Sequence, residues 1–498
     1  MRKINMKTRL VLALLALVSF AAVTAAQAGT GQAEVQTTKG AVIKGRAPVN
    51  KTVLKVKRPK AQEAMLTNGL HVIVLESSRV PTFSMEMVIM SGGLSDPADM
   101  RGLASTTATL LREGTAQRTS REIAEHLDTI GATLGANSGL ASFTSSVTSS
   151  GLVENFDQVL DLFADVVRNP KFPATEVERY KNRTISAQPL LRGQATFLAQ
   201  ERLNQAVYGT HPAAMVMPPV DAIKKITPAD LARFHATHYI PNNAMLAIVG
   251  DVKLKDILPK IERAFGDWKS GAPQQTSIPA APAQSASKIY LINRPGSVQT
   301  VFQIGSLAID RSDPDYPAMA VMNRILGGGG SSRLFLNIRE DKSYAYSVGS
   351  SFNSSKYRGT FVASSPVRTE ATEGALHEFM SEFNRIRNEK VSPVELENAK
   401  RAIVGNFALS LENPGSILQN IITQKLYSFP ADYWDTYPQK IEAVTAEDVQ
   451  RVARKYIDLD HLQIVAVGDA SKARAVLAKY GNVEVYDADG KPQTSVAP

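Results

Sequence analysis

The chain has 498 residues, of which 44% are hydrophobic and 21% are charged, a globular composition long enough for about two to four domains. It contains no cysteine, which excludes disulfides, thiolate chemistry and a lipid-modified N-terminal cysteine. The net charge of +9 is concentrated before residue 61, and the remainder is slightly acidic, which argues against a nucleic-acid partner.

Residues 1–28 have the pattern of a secretory signal peptide. Four cations, at positions 2, 3, 7 and 9, precede the apolar run LVLALLALVSFAAV, and small residues at 26–28 predict cleavage before Gly29. An uncleaved membrane anchor is the alternative, because the run is just long enough to span a bilayer. With cleavage, we expect a soluble periplasmic protein without a transmembrane span.

A basic arm, residues 29–63, follows the signal peptide. It holds eight Lys or Arg residues and one Glu up to Lys60, and we interpret it as a solvated flexible segment. Contact of this arm with anionic lipid is the alternative.

Residues 64–268 are predicted to form an N-terminal domain of mixed α and β structure. Short β-branched and apolar runs predict strands, and apolar spacing with N-cap signals predicts helices. Strands are predicted at 68–77, 82–93, 141–150 and 245–251, and helices from about Arg101, over 119–135 with Thr119 or Ser120 as N-cap, over 152–170, from Glu176 and from Thr227.

A second domain, residues 288–487, repeats the first after a Pro-, Ala-, Ser- and Gln-rich linker at 269–287, and a disordered tail is predicted at 488–498. SDP occurs at Ser95 and Ser312, EVERYK at Glu176 matches ELENAK, and ITPADL matches VTAEDV, in the same order and at nearly constant spacing. The chain is therefore a duplicated unit. Adjacent strands alternating with helices predict an α+β fold in which a mostly antiparallel sheet has helices on one face.

Five segments carry a resemblance to a known family. They are NGLHVIVLES, GGLSDP, RGLASTTATLLREGT, YIPNNAMLAIVGD and LGGGGSSRLFLNIREDKSYAYSVGSSF. Together with the duplication, they resemble the insulinase-like (pitrilysin, M16) zinc metallopeptidases, in the smaller bacterial form that is similar to mitochondrial processing peptidase. The resemblance covers residues 64–487 and implies two M16-type αβ units that form one half of a clamshell.

The resemblance also implies where a zinc site would lie. Active members carry His-x-x-Glu-His on the helix after the SDP segment, where two imidazoles on one helical face hold zinc and the Glu acts as general base. In this chain, those three positions are Ser105, Ala108 and Thr109. A distal Glu should fall within residues 183–193, which contain no carboxylate. We therefore predict no metal site and no catalytic residue in this chain.

Other candidate sites are interpreted as structural. The EIAEH segment at 122–126 mimics the zinc spacing on the next helix, and we expect it to be a solvated face. His235 and His238 have the wrong spacing for one helical face, and we expect His235 to be packed. GGGGSS, 327–332, lacks the lysine of a phosphate loop and is predicted to be a tight turn between helices that needs positive φ.

The second unit keeps a pair of residues that the resemblance assigns to substrate binding. Arg339 and Tyr346 have the family's spacing of seven, and Tyr344 is the competitor if the register shifts by two. In the family, the Tyr donates a hydrogen bond to the scissile carbonyl and the Arg holds peptide backbone. The alternative is an ion pair of Arg339 with Glu340 or Asp341 and simple packing of Tyr346 in a strand.

The resemblance therefore implies a non-catalytic, substrate-binding subunit of a periplasmic two-subunit zinc peptidase. We expect a heterodimer with an M16 chain that has an intact motif, zinc in that partner and none in this chain, and peptide substrates. A non-enzymatic structural or peptide-binding protein is the alternative. A third hypothesis, a zinc peptidase active by itself, predicts stoichiometric zinc.

Overall fold

A computed structural model describes residues 59–274, 277–283 and 285–493. The predicted signal peptide and nearly all of the basic arm lie outside these ranges. Within them, no helix combines the length and the apolar character that are needed to cross a membrane.

The strands of the described ranges form two six-stranded sheets in which five strands match in order, while the sixth differs: β1 is antiparallel to its neighbour and β12 is parallel to its neighbour. The strand order is β1-β2-β6-β3-β5-β4 in the first sheet and β12-β7-β11-β8-β10-β9 in the second. In each sheet a central pair is parallel, β2 with β6 and β7 with β11. The strands are β1 Gln62–Met65, β2 His71–Glu76, β3 Thr82–Ile89, β4 Thr133–Ser138, β5 Ser145–Leu152, β6 Ala244–Gly250, β7 Lys288–Asn293, β8 Gln299–Leu307, β9 Gly349–Phe352, β10 Thr360–Arg368, β11 Gln463–Gly468 and β12 Val483–Tyr486.

The helices follow the same duplication. The first half contains α1 Leu103–Leu110, α2 Ser120–Thr129, α3 Phe156–Arg168, α4 Ala174–Arg192, α5 Ala195–Tyr208, α6 Val220–Lys225, α7 Pro228–His238 and α8 Leu254–Phe265. The second half contains α9 Tyr316–Leu326, a π-helix Phe335–Asp341, α10 Thr372–Asn388, α11 Pro393–Ser410, α12 Pro414–Leu426, α13 Tyr437–Glu442, α14 Ala446–Tyr456 and α15 Ala470–Leu477. The α+β fold class and the duplication are confirmed.

Local sequence explains where several of these helices begin. Thr119, Thr227, Ser392 and Thr445 each cap a helix with a capping box, in which the N3 carboxylate accepts from the cap's own backbone N–H. Thr227 and Thr445 occupy equivalent positions of the two repeats, so the duplication preserved the start signal as well as the apolar spacing.

Each sheet is covered on both faces, once by helices of its own half and once by a helix of the other half. Leu198 and Leu203 of α5 pack against Tyr290, Val465 and other outward residues of the second sheet. Reciprocally, Ile417, Leu418, Ile421 and Ile422 of α12 pack on the first sheet. Burial on both faces explains why every residue of the central strands β6 and β11 is buried and nearly all are apolar.

Two local predictions were wrong. The helix predicted over 119–135 ends at Thr129, because Gly131 has φ +60°, and the missed strand β4 begins at Thr133. The glycines of GGGGSS do form a turn between helices, but none of the four has positive φ. Close approach instead requires glycine at position 327, where a Cβ would lie 2.2 Å from the Ser350 nitrogen.

Candidate functional site

Helix α1 occupies the position where the sequence predicts a lost zinc site. It begins after Gly102, whose φ of +100° suits glycine, and the Asp96 carboxylate accepts from the backbone nitrogens of Gly102 and Ala104 at 2.7 and 2.8 Å. Burial raises the pKa of Asp96 to about 6 despite these hydrogen bonds. The Asp96 carboxylate of the SDP segment thus caps the start of the helix.

The side chains of α1 offer little to a metal ion. Ala108 is fully buried, while Ser105 and Thr109 are half-buried on the same side of the helix. The hydroxyls of Thr106, Thr107 and Thr109 each donate to the carbonyl oxygen four residues earlier, at 2.8 Å. Neutral hydroxyls engaged in this way do not replace imidazole ligands or a general base.

The distal helix does not supply the missing ligand. Residues 183–193 fall at the end of α4, where Gln188 is buried and donates to the carbonyl oxygen of Pro218. Across the described ranges, no group of three or more His, Cys, Asp or Glu side chains could hold a metal ion. The residues of α1 and α4 therefore do not fit zinc, and no step of a reaction is assigned to a metal in this chain.

The remaining candidate ligands have structural partners. Glu122, the first residue of EIAEH, completes the capping box of α2, and its hydrogen bonds from Thr119 lower its pKa. His235 Nε2 lies 2.8 Å from the carbonyl oxygen of Val167, and burial lowers the pKa of this histidine to about 4. The imidazole of His235 also stacks on Tyr239, a packing arrangement.

Arg339 and Tyr346 lie side by side at the surface of the second half. Arg339 is in the π-helix and Tyr346 is in the segment before β9, so the tyrosine does not pack in a strand. The guanidinium carbon lies 5.0 Å from the centroid of the Tyr346 ring, and Tyr346 is 86% exposed. The Arg339 Nε atom is also 3.6 Å from a carboxylate oxygen of Glu340, a long and exposed ion pair.

Phe335 is a third member of this cluster that the sequence interpretation missed. Phe335 also lies in the π-helix, and its ring centroid is 4.6 Å from the Arg339 guanidinium carbon. Two aromatic contacts hold the guanidinium while leaving its donors accessible. The spacing of four between Phe335 and Arg339 was the available signal.

Tyr344, the alternative tyrosine, faces inward. It is partly buried against the core of the second half, and its ring lies directly against Gly374 of α10, where an added Cβ would come within 2.7 Å of the phenol. This contact places the Tyr344 phenol against the backbone of α10. Of the two tyrosines, only Tyr346 contacts Arg339 in the structure.

Comparison with known families agrees with this duplicated fold. The sequence model of the insulinase family, peptidase family M16, matches residues 72–215, and the model of the peptidase M16 inactive domain matches residues 225–403. The chain belongs to peptidase family M16. The two models meet between residues 215 and 225, ahead of β6, which is still a strand of the first sheet.

The M16 relatives include both named zinc proteases and a processing-peptidase subunit. The uncharacterized zinc protease YmxG of Bacillus subtilis is 22% identical over 79% of this chain and 95% of its own length. A probable mitochondrial-processing peptidase subunit beta of Arabidopsis thaliana is 24% identical over 82% of this chain and 78% of its own length.

Solved structures support the M16 architecture along most of the chain. The peptidase M16 inactive domain from Pseudomonas fluorescens superposes with a TM-score of 0.76 at 29% identity, covering 82% of this chain and 98% of that one. A protease from Helicobacter pylori has a TM-score of 0.75 at 18% identity, with coverage of 82% and 99%, and supports the fold alone.

Proposed function

We propose that this M16 chain is the non-catalytic, substrate-binding subunit of a two-subunit peptidase. A partner M16 chain with an intact His-x-x-Glu-His motif would supply zinc and the general base. The observation that carries the proposal is the exposed pair of Arg339 and Tyr346 on a chain whose α1 has no metal ligand. The Arabidopsis relative is named as a peptidase subunit, which is consistent with a peptidase assembled from more than one M16 chain.

The two side chains suit the binding of an extended peptide. An unfolded substrate would add as a strand to a sheet edge, where main-chain hydrogen bonds provide most of the contact. The Arg339 guanidinium would donate to peptide carbonyl oxygens, and the Tyr346 hydroxyl would donate to the oxygen of the scissile carbonyl as it gains negative charge. Tyr346 is exposed in the isolated chain because the surface that it serves would form with the partner.

The proposed location is the periplasm, on the strength of the N-terminal signal pattern. Export with cleavage predicts a mature chain that begins at Gly29. Mass spectrometry of the protein recovered from a periplasmic fraction would detect that terminus. An intact Met1 in a membrane fraction would instead support the uncleaved anchor.

The decisive experiment reconstitutes the two chains. The mature chain, residues 29–498, is used to isolate an M16 partner with an intact motif, and peptide cleavage is measured with each chain alone and with the mixture. The proposal requires that only the mixture cleaves. A stable complex without cleavage would support the alternative, a non-enzymatic structural or peptide-binding protein.

Tyr346→Phe tests the assigned role within that mixture. Loss of the hydroxyl should lower turnover by about 100-fold, the scale of one lost oxyanion donor, with little change in complex formation. Tyr344→Phe is the matched control, because Tyr344 is packed against Gly374 and should leave turnover nearly unchanged. Equal effects of the two substitutions would contradict the role of Tyr346.

A further inference from the structure

An open cavity of about 470 Å³ lies in the second half, away from Arg339 and Tyr346. It is within the size range of small-molecule sites, about 300–1,000 Å³. Helices α9 and α11 form two of its walls, and the segment that leads into α13 forms the third. Its aromatic lining consists of Tyr316, Phe352, Phe407, Trp434 and Tyr437.

The cavity is lined by α9, which follows the second SDP segment as α1 follows the first. When Leu103 of α1 is aligned with Ala318 of α9, the buried and half-buried positions of the two helices coincide almost throughout. This alignment matches Ser105, Ala108 and Thr109 with Ala320, Asn323 and Arg324, and all three of the latter line the cavity. The second wall, α11, is the repeat of α4, the helix on which a distal Glu would lie.

Two arginines among the lining residues give the cavity a positive charge. None of the residues that line it is acidic, and in the described part of the chain neither Arg311 nor Arg324 forms an ion pair. Arg311 is only 7% exposed, and its Nη1 atom donates to the Tyr433 hydroxyl at 2.8 Å. A buried guanidinium has five donors, so this single side-chain hydrogen bond leaves most of them available.

Aromatic rings hold Arg311 in this unusual setting. Its guanidinium carbon lies 3.9 Å from the centroid of Tyr316, 5.0 Å from that of Phe429 and 5.7 Å from that of Trp434. Cation–π attraction offsets part of the cost of burying the charge, but it does not satisfy the N–H donors. An anion in the cavity would satisfy them.

The glycine turn positions the second arginine. Nη1 of Arg324 donates to the carbonyl oxygen of Gly328 at 2.5 Å, and a Cβ on Gly329 would lie 2.3 Å from the same nitrogen. The backbone of Gly328 and Gly329 therefore lies against the Arg324 guanidinium. Asn323 lies beside Arg324 in the chain, and its Oδ1 accepts from the Ser350 hydroxyl at 2.8 Å.

From this arrangement we infer that the cavity binds a carboxylate attached to an aromatic or apolar body, such as the C-terminal residue of a peptide. The two guanidinium groups would hold the carboxylate, since planar N–H pairs match its two oxygens. Tyr316, Phe407 and Trp434 would enclose the apolar body. This binding site is separate from the proposed pairing of Arg339 and Tyr346 with a partner subunit.

Calorimetry on the mature chain tests the site with three probes. They are a short peptide that ends in phenylalanine with a free carboxylate, the same peptide with a C-terminal amide, and N-acetylphenylalanine. The free-acid peptide should bind at least about tenfold more tightly than the amide, the effect of losing charge-assisted hydrogen bonds. Equally tight binding of N-acetylphenylalanine would identify a small aromatic acid as the ligand, and weaker binding would identify a peptide end.

Two arginine variants separate a specific site from general attraction of anions. Arg324→Gln should weaken binding of the free-acid peptide by at least about tenfold. Arg401→Gln removes the same charge from α11 at a side chain that is ion-paired with Glu397 and does not line the cavity, so binding should be unchanged. Unfolding midpoints of both variants confirm that each remains folded.

Tryptophan fluorescence reports where the ligand binds. Trp268 and Trp434 are the only tryptophans of the chain, and phenylalanine probes do not absorb in their excitation band. Binding should change the emission, and Trp434→Phe should abolish that change. Equal affinity for acid and amide, no binding by any probe, or equal loss in the two arginine variants would overturn the assignment.

Discussion

The threonine hydroxyls of α1 form hydrogen bonds within the helix itself. Thr106, Thr107 and Thr109 donate to carbonyl oxygens one turn earlier, while Ala108 is fully buried. This pattern preserves packing without preserving any metal ligand. Spacing along a helix determines which residues share a face. The absence of the zinc motif can therefore be recognised from the sequence once the helix is located.

Metal content tests this residue-scale conclusion. Purified wild-type chain should retain less than about 0.1 zinc per molecule after dialysis, because α1 and α4 lack imidazole and carboxylate ligands. Elemental analysis by mass spectrometry provides the measurement. The Ser105→His/Thr109→His variant, with two imidazoles on one helical face, should retain more zinc than wild type. Stoichiometric zinc in the wild type would revive the hypothesis of a peptidase active by itself.

The two tyrosines near Arg339 show where residue-level prediction stops. Spacing in the sequence left Tyr344 and Tyr346 as alternatives. They are distinguished by Gly374, which is 30 residues from Tyr344 in the chain and lies directly against its ring. A contact so distant along the chain depends on how α10 packs and is not encoded in local spacing.

At the level of elements, an ion pair joins the start of the π-helix segment to α11. Arg333 donates from Nε and Nη2 to the two carboxylate oxygens of Glu395 at 2.7 and 3.1 Å, and Arg333 is almost fully buried. Glu395 is also the N3 residue of the Ser392 capping box. Although burial alone would raise it, the pKa of Glu395 is lowered to about 2, chiefly by hydrogen bonding to Arg333.

Glu395→Gln should therefore reduce stability in a pH-dependent way. The lowered pKa means that the carboxylate's stabilising contribution is present above about pH 4.5 and is lost as the pH falls toward 2. Glutamine can still serve in a capping box, so the variant removes the charge of the ion pair and keeps the cap. Its free energy of unfolding at neutral pH should be about 2 kcal/mol lower than that of the wild type. The difference from wild type should shrink on acidification, as measured by urea unfolding.

A surface pair provides the control for that measurement. Glu389, which is exposed and lies 3.6 Å from Arg385, should contribute little when changed to Gln. If Glu395→Gln and Glu389→Gln behaved alike at neutral pH, the Arg333–Glu395 pair would not be a significant link between the two elements.

On the scale of the whole molecule, the two halves are joined because each contributes a helix that packs on the sheet of the other. Helix α5 covers a face of the second sheet, and α12 covers a face of the first. Neither half buries both faces of its own sheet alone, so we expect the described chain to unfold as one cooperative unit.

Leu203→Ala tests this coupling. Leu203 is fully buried on α5 between the halves, and its truncation should cost about 2–5 kcal/mol. Leu190→Ala on α4 is the control, because Leu190 is 74% exposed and should change stability by less than about 0.5 kcal/mol.

Single-tryptophan variants provide the readout for both halves. Trp268 belongs to the core of the first half, and Trp434 stacks on Phe407 in the second. With only one tryptophan present at a time, both should report the same transition, and Leu203→Ala should shift the two together. Separate transitions would mean that the exchanged helices do not couple the halves.

The sequence by itself determined the duplication, the α+β class, the approximate starts of five helices of the first half and the absence of the zinc motif's residues from α1, because each depends on spacing along one or two elements. The exchange of α5 and α12, the inward turn of Tyr344 and the cavity around Arg311 were decided only by the tertiary structure. Each of these features joins residues that are distant in the chain. Which of the possible contacts forms depends on how the elements are buried against one another, and local spacing does not specify this.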